Sequence, residues 1–240
     1  MWLRLGVAAL VELTYAVTTR VWLPQDYDGI SLELLTTAGR LISLLVFFLL
    51  FRQLVFSRQP HLHQARHLLA VFAVVLLLLT PVLVGHYALP SLTTQLVFAV
   101  TSVAVAFKEE FLYRGILQNI LESRLGVLQA IIFSNVMFTL YHYGAQPFTA
   151  WNLTEIFSAG CILGLLYAAT GSLMLAIAIH ALNDAVWSFT PILTSPLPRP
   201  LGSVLLITAL ILCCVWVCAL TRRSSRRPRP PGSVAAERRR

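Results

Sequence analysis

Apolar residues in this chain follow neither the alternation of half-buried strands nor the one-sided stripe of a soluble helix. They form long, nearly continuous runs between short polar breaks. A helix needs roughly twenty largely apolar residues to cross a bilayer. Eight stretches qualify, at about 4–22, 31–52, 67–86, 91–116, 126–142, 153–170, 172–190 and 201–220. The breaks carry turn residues such as Pro24, Asp26, Asp28, Pro90, Gly144, Pro147, Gly171 and Pro198. This pattern predicts an all-α fold, a polytopic membrane helix bundle of about eight transmembrane helices over residues 1–220, with no internal repeat and no separate soluble domain.

Composition sharpens that reading. The chain is 58% hydrophobic and 12% charged, whereas soluble domains carry about a quarter charged residues. Its formal charge of +8 is concentrated at one end: eight arginines and one glutamate after Leu220 contribute +7, leaving +1 for everything before. Residues 221–240, with Ser224, Ser225, Pro228, Pro230, Pro231 and Gly232 among the arginines, have nothing to pack and are expected to be a disordered basic cytoplasmic tail. Such a tail beside a final hydrophobic helix suits anionic lipid rather than nucleic acid.

Arg52, Arg58 and Arg66 mark a second cytoplasmic segment, so counting crossings places both the N- and C-termini in the cytoplasm. The expected location is a bacterial inner or cell membrane. Glu12 interrupts the first apolar run, which predicts a retained helix rather than a cleaved signal. Cys161, Cys213, Cys214 and Cys218 all lie within apolar stretches and imply neither a disulfide framework nor a zinc site.

A charge inside a bilayer costs at least about 2.5–3.5 kcal/mol on insertion scales, so each needs a partner or a task. The fourth stretch holds Lys108, Glu109, Glu110 and Arg114. Glu110 and Arg114 are one turn apart and can pair. Glu109 points about 100° away, so that pair leaves it available as a general base near cationic support. Phe138 and His142 share a face of the fifth stretch, and His180 and Asp184 share one of the seventh, with Asn183 beside them.

Helix rise tests whether these groups meet. With a turn near Arg124, Glu109 lies about 22 Å up one arm and His142 about 27 Å up the other, while His180 lies about 13 Å from the turn at Gly171. The three come level if the Arg124 turn protrudes about 10 Å into the cytoplasm. Elsewhere, Glu33 and Arg40 are expected to pair within the second helix, and Gly160 and Gly164 to allow close helix packing. Glu155 is read as first-turn helix chemistry, and His61, His63 and His67 as an interfacial loop rather than a metal site.

Glu109-Glu110-x-x-x-Arg114, Phe138-x-x-x-His142 and His180-x-x-x-Asp184, in that order on successive membrane helices, resemble the CPBP family of CAAX proteases and bacteriocin-processing (Abi) enzymes. The resemblance covers about residues 90–190. It implies a glutamic-type intramembrane endopeptidase in which Glu109 activates water with help from His142, while His180 and the residue at Asp184 position or stabilise the oxyanion. That family often has asparagine where this chain has Asp184. Here Asp184 orients His180, or is protonated, or Asn183 supplies the donor.

No cofactor is expected. Glu109, His142 and His180 would also match a catalytic zinc set, but no H-E-x-x-H pairing is present and the metal-free mechanism is preferred. The expected substrate is a membrane protein or lipid-modified peptide. Two other classes stay open: a proton-coupled carrier, since buried Glu, His and Asp can relay protons, and a non-catalytic immunity or scaffold protein on the same fold.

Overall fold

The computed structural model describes residues 2–23, 29–58, 86–88, 91–143, 150–189 and 192–195, with five isolated positions between 204 and 215. Helix α1 (Trp2–Val17) runs into a π-helical turn at Thr18–Trp22, and α2 spans Gly29–Val55. A continuous rod follows: α3 (Leu92–Glu110), a π-helical segment (Phe111–Gln118) and α4 (Asn119–Leu125). Three more helices are α5 (Val127–Tyr141), α6 (Ala150–Thr170) and α7 (Leu173–Phe189). The rod exceeds its expected end at residue 116: the polar residues after Gly115 are helical, with Gln118 buried, Asn119 and Glu122 half-buried, and Ser123 and Arg124 exposed.

Local chemistry explains the boundaries. Ser91 caps α3, its hydroxyl accepting from the Thr94 amide at 3.2 Å. Gly126 and Gly171, the two positive-φ glycines among the described residues, make the turns before α5 and α7 at φ 85° and 67°. Ser172 then caps α7 through the Leu175 amide at 3.2 Å.

One feature departs from an all-α reading. Short strands β1 (His86–Ala88) and β2 (Ile192–Ser195) pair antiparallel, joining the chain before α3 to the chain after α7. His86 was expected to end the third membrane span; backbone pairing with Ser195 places it in the ribbon instead. The rest of that span, the tail and His61, His63 and His67 lie outside the described residues. The last span is described only at its five isolated positions.

Among the described residues one helix, Gly29–Val55, is long and apolar enough by itself to cross a membrane. Val127–Tyr141, Ile156–Thr170 and Leu173–Val186 are shorter apolar helices. The bundle is nevertheless inverted relative to a soluble protein. Leu10, Leu41, Ile42, Leu49, Val100 and Met137 are exposed, while Lys108, Glu110, Arg114, Gln118 and Asn135 are at most 2% exposed.

Helices α3 and α7 pack most extensively, and α5 packs against α6. Gly160 and Gly164 set the approach of α6. A Cβ at Gly160 would fall on Asn135 Oδ1, and one at Gly164 would lie 3.1 Å from Gln118 Oε1 and 3.2 Å from Ile131 Cγ2. The glycines therefore expose their carbonyls: Arg114 donates to Gly160 O at 2.8 Å and Gln118 to Gly164 O at 3.0 Å. Close packing within the bundle is thus the use of this step.

Gly160→Ala is expected to lower stability by about 1–3 kcal/mol through overpacking, read as a lower thermal midpoint in detergent. Gly6→Ala, whose added methyl meets nothing within 4 Å, is the control. Equal midpoints for the two variants would refute the role of the α6 approach.

Candidate active site

Each carboxylate in the bundle can be followed to its neutralising partner. Glu33 pairs with Arg40 at 2.7 Å within α2, as its spacing predicts. Glu122 pairs with Arg58 at 2.8 Å. Glu12 on α1 pairs with Lys108 on α3. Glu110 faces Arg114 Nε across 3.2 Å, both essentially fully buried. Of the five glutamates with described side chains (Glu12, Glu33, Glu109, Glu110 and Glu122), Glu109 alone faces a histidine rather than Lys or Arg.

The Lys108 ammonium turns away from the adjacent Glu109, to Glu12 and to the Tyr141 hydroxyl at 2.7 Å. Neighbouring residues on a helix point about 100° apart, so adjacency in sequence is no guide to pairing.

His180 joins α7 to α3. Its Nδ1 lies 2.8 Å from Glu110 Oε1, and its Nε2 lies 3.4 Å from Asp184 Oδ2 and 3.9 Å from Glu109 Oε2. An ionised carboxylate only accepts, so Nδ1 carries the proton donated to Glu110. Nε2 faces the two carboxylates of Glu109 and Asp184. Asp184 is partly exposed, with 31% of its side chain accessible, whereas Glu109 is 7% exposed. Asn183 is half-buried on the same helix.

Arg114 ties the cluster to the remaining helices. Besides Glu110 and Gly160 O, it reaches Asn135 Oδ1 at 3.5 Å, and its guanidinium lies 4.8 Å from the Phe138 ring centroid. Asn135 also donates to Phe157 O at 3.1 Å. Sequence reasoning missed Asn135, Gln118 and Tyr141. Polar residues deep in apolar runs were the available signal.

His142 caps α5. Its Nδ1 bonds Phe138 O at 2.9 Å, and since a carbonyl only accepts, Nδ1 is the donor in that bond. Phe138 contacts both histidine rings, with centroids 4.7 Å from His142 and 6.4 Å from His180. Glu109, Glu110, Arg114, His180 and Asp184 thus form one polar cluster, and His142 adjoins it through Phe138.

Among the described residues no group of three His, Cys, Asp or Glu side chains has the spacing to hold a metal ion.

Residues 90–186, from the cap of α3 into α7, match the family model described as Type II CAAX prenyl endopeptidase Rce1-like. The match covers 97 of the chain's 240 residues and supports a likeness of that segment to the CPBP/CAAX protease family. That family is one of membrane-integral CAAX-type proteases. No curated protein matches the chain at a significant level.

Removing one member of a buried ion pair strands the other. Arg114→Met is therefore expected to destabilise by about 3–5 kcal/mol, and Arg114→Lys to lose much of this stability because an ammonium lacks the guanidinium fork. The combined change Glu110→Gln with Arg114→Met should recover part of the loss. Thermal unfolding checks the series, and full stability in Arg114→Met would refute the ion pair's role.

Proposed function

We propose that the chain is an intramembrane endopeptidase that hydrolyses a peptide bond in a membrane-anchored or lipid-modified protein, with Glu109 as the general base. The observation that carries this reading is the singularity of Glu109. Every other glutamate with a described side chain faces Lys or Arg, and Glu109 faces the Nε2 side of an imidazole held in place by Glu110.

Peptide hydrolysis needs an activated water, a proton for the leaving amine and stabilisation of a tetrahedral oxyanion. Glu109 takes the proton from water and returns it to the amine. His142, with Nδ1 tied to Phe138 O, orients the same water through Nε2. His180 presents Nε2 to the developing oxyanion while Glu110 and Arg114 fix its ring. Asp184 adjusts the proton at Nε2, and Asn183 is the neutral donor nearest in sequence.

The substrate approaches from the bilayer or its cytoplasmic face, towards which both termini are oriented in this reading. The family's description names a prenylated C-terminus, so a farnesylated C-a-a-X peptide heads the panel of membrane-anchored peptides to be assayed.

In liposomes, the purified chain is expected to cleave at least one peptide of that panel, with Glu109→Gln slower by about a thousandfold, a loss typical of removing a general base together with its proton delivery. Asp184→Asn should retain cleavage, because an amide still accepts from His180 and can donate to an oxyanion. Mass spectrometry of the released fragments reads both. Undiminished cleavage by Glu109→Gln would remove the proposal, and solute flux without proteolysis would favour a carrier instead.

A further inference from the structure

Lys108 immediately precedes Glu109, and Tyr141 immediately precedes His142. One buried ammonium joins them: Lys108 Nζ donates to the Tyr141 hydroxyl at 2.7 Å and to Glu12 Oε1 at 2.5 Å. It also lies over two aromatic rings, 4.1 Å from the Tyr15 centroid and 4.6 Å from that of Tyr141. Lys108 is 1% exposed, so its charge needs these partners.

We propose that Glu12, Lys108 and Tyr141 form a positioning clamp that sets the separation of Glu109 from His142, and that α1 is consequently a working part of the site. The proposal rests on the peptidase reading for its catalytic consequence, but its geometry stands alone.

Three observations converge on it. First, the Lys108–Tyr141 bond crosses from α3 to α5, the elements that carry Glu109 and His142. A shift of either helix must strain or break that bond.

Second, the clamp continues into the aromatic packing that holds His142. Tyr141 lies edge-on to His142 at 5.8 Å and tilted against Tyr113 at 6.1 Å, and Tyr113 meets Phe138 at 5.1 Å. Arg20 caps the outer side, stacking on Tyr141 at 4.6 Å and donating to Tyr143 O at 2.7 Å.

Third, the other contacts of α1 are few: Arg4 donates to Leu50 O at 3.1 Å, Arg124 lies 4.7 Å from the Trp2 ring centroid, and Leu5 and Val11 pack partly buried beside Ala8. Ala8 is its one buried residue, while Trp2, Leu3, Leu10 and Leu13 are each more than 60% exposed. In lipid, apolar faces supply no hydrophobic drive for helix association. Specific polar contacts and close packing must supply it instead. Glu12 is the acidic partner of Lys108, and Tyr15 packs against α2 where Gly39 leaves room, a Cβ there lying 3.0 Å from the Tyr15 ring. Glu12, Tyr15 and Arg20 all lie outside the segment 90–186 that matches the family.

The test uses Tyr141→Phe, which keeps the ring and deletes the hydroxyl, and Glu12→Gln, which deletes the counter-charge with little change of shape. Both are assayed beside wild type and Glu109→Gln in liposomes with the farnesylated C-a-a-X peptide. A displacement of about 1 Å can cost a hundredfold in rate, so kcat is expected to fall by about tenfold to a hundredfold, with KM changed by less than about twofold. A loss of general packing would instead lower the active fraction and the thermal midpoint together.

An activity-independent arm labels Val103 and Val136, on exposed faces of α3 and α5, with spin labels in a cysteine-free background. The wild-type distance distribution should be narrow, and both clamp variants should shift or broaden it. If wild type cleaves and Glu109→Gln does not, wild-type kcat in Tyr141→Phe overturns the clamp and leaves the peptidase standing. If wild type is inactive on this peptide, the spin-label distances decide: an unchanged distribution in both variants overturns the clamp, and a shifted or broadened one sustains it.

Discussion

The bundle depends on neutralising carboxylates where water is scarce. An unpaired buried charge costs several kcal/mol, and a pair recovers that only with good geometry and further hydrogen bonds. Glu110 and Arg114 meet most of this condition, with two buried atoms, Glu110 Oε2 and Arg114 Nη1, left without a hydrogen bond. The guanidinium faces Glu110, donates to Gly160 O and reaches Asn135, while the other Glu110 oxygen accepts from His180. One ion pair therefore links α3, the π segment, α5, α6 and α7.

That arrangement explains why small residues and an irregular helix occur together. The glycines of α6 bring two backbone carbonyls within reach of Arg114 and Gln118, which a side chain at Gly160 would prevent. The π segment begins directly after Glu110. Such bulges re-aim side chains at the expense of regular bonding and recur at functional sites. Here it carries Arg114 and Gln118, one turn apart, to the Gly160 and Gly164 carbonyls.

Much of this was legible in the sequence because lipid makes polar residues conspicuous. Glu109, Glu110, Arg114, His180 and Asp184 were identifiable as expensive residues; helix rise set Glu109, His142 and His180 level given a protruding turn, and the structure brings Glu109 within 3.9 Å of His180 while His142 adjoins them through Phe138. The Glu33–Arg40 pair followed from spacing, and the turn at Gly171 from its glycine. Three things did not. Pairing between distant helices, such as Glu12 with Lys108, leaves no local periodicity to read. The π segment has no compositional signature, since its residues also suit an α-helix. The β1–β2 ribbon is a long-range backbone contact between segments read as a helix end and a loop.

The distribution of partners also bears on the kind of chemistry this core can support. A proton relay through a membrane needs exchangeable groups in succession across its thickness. In this bundle Glu33, Glu110 and Glu122 are each held by an arginine, which never deprotonates in proteins, so such carboxylates are poor carriers. Outside those pairs and the Glu12–Lys108 pair, the acid–base groups Glu109, His180 and Asp184 cluster within 4 Å contacts, with His142 close by through Phe138. A cluster at one depth suits a reaction in which a proton leaves water and returns to a nearby amine, because both transfers happen in one place. Among the described residues, Glu109, His180 and Asp184 are thus gathered at one place, as the proposed hydrolysis requires, while Glu33, Glu110 and Glu122 are held by arginines and ill suited to a conducting path.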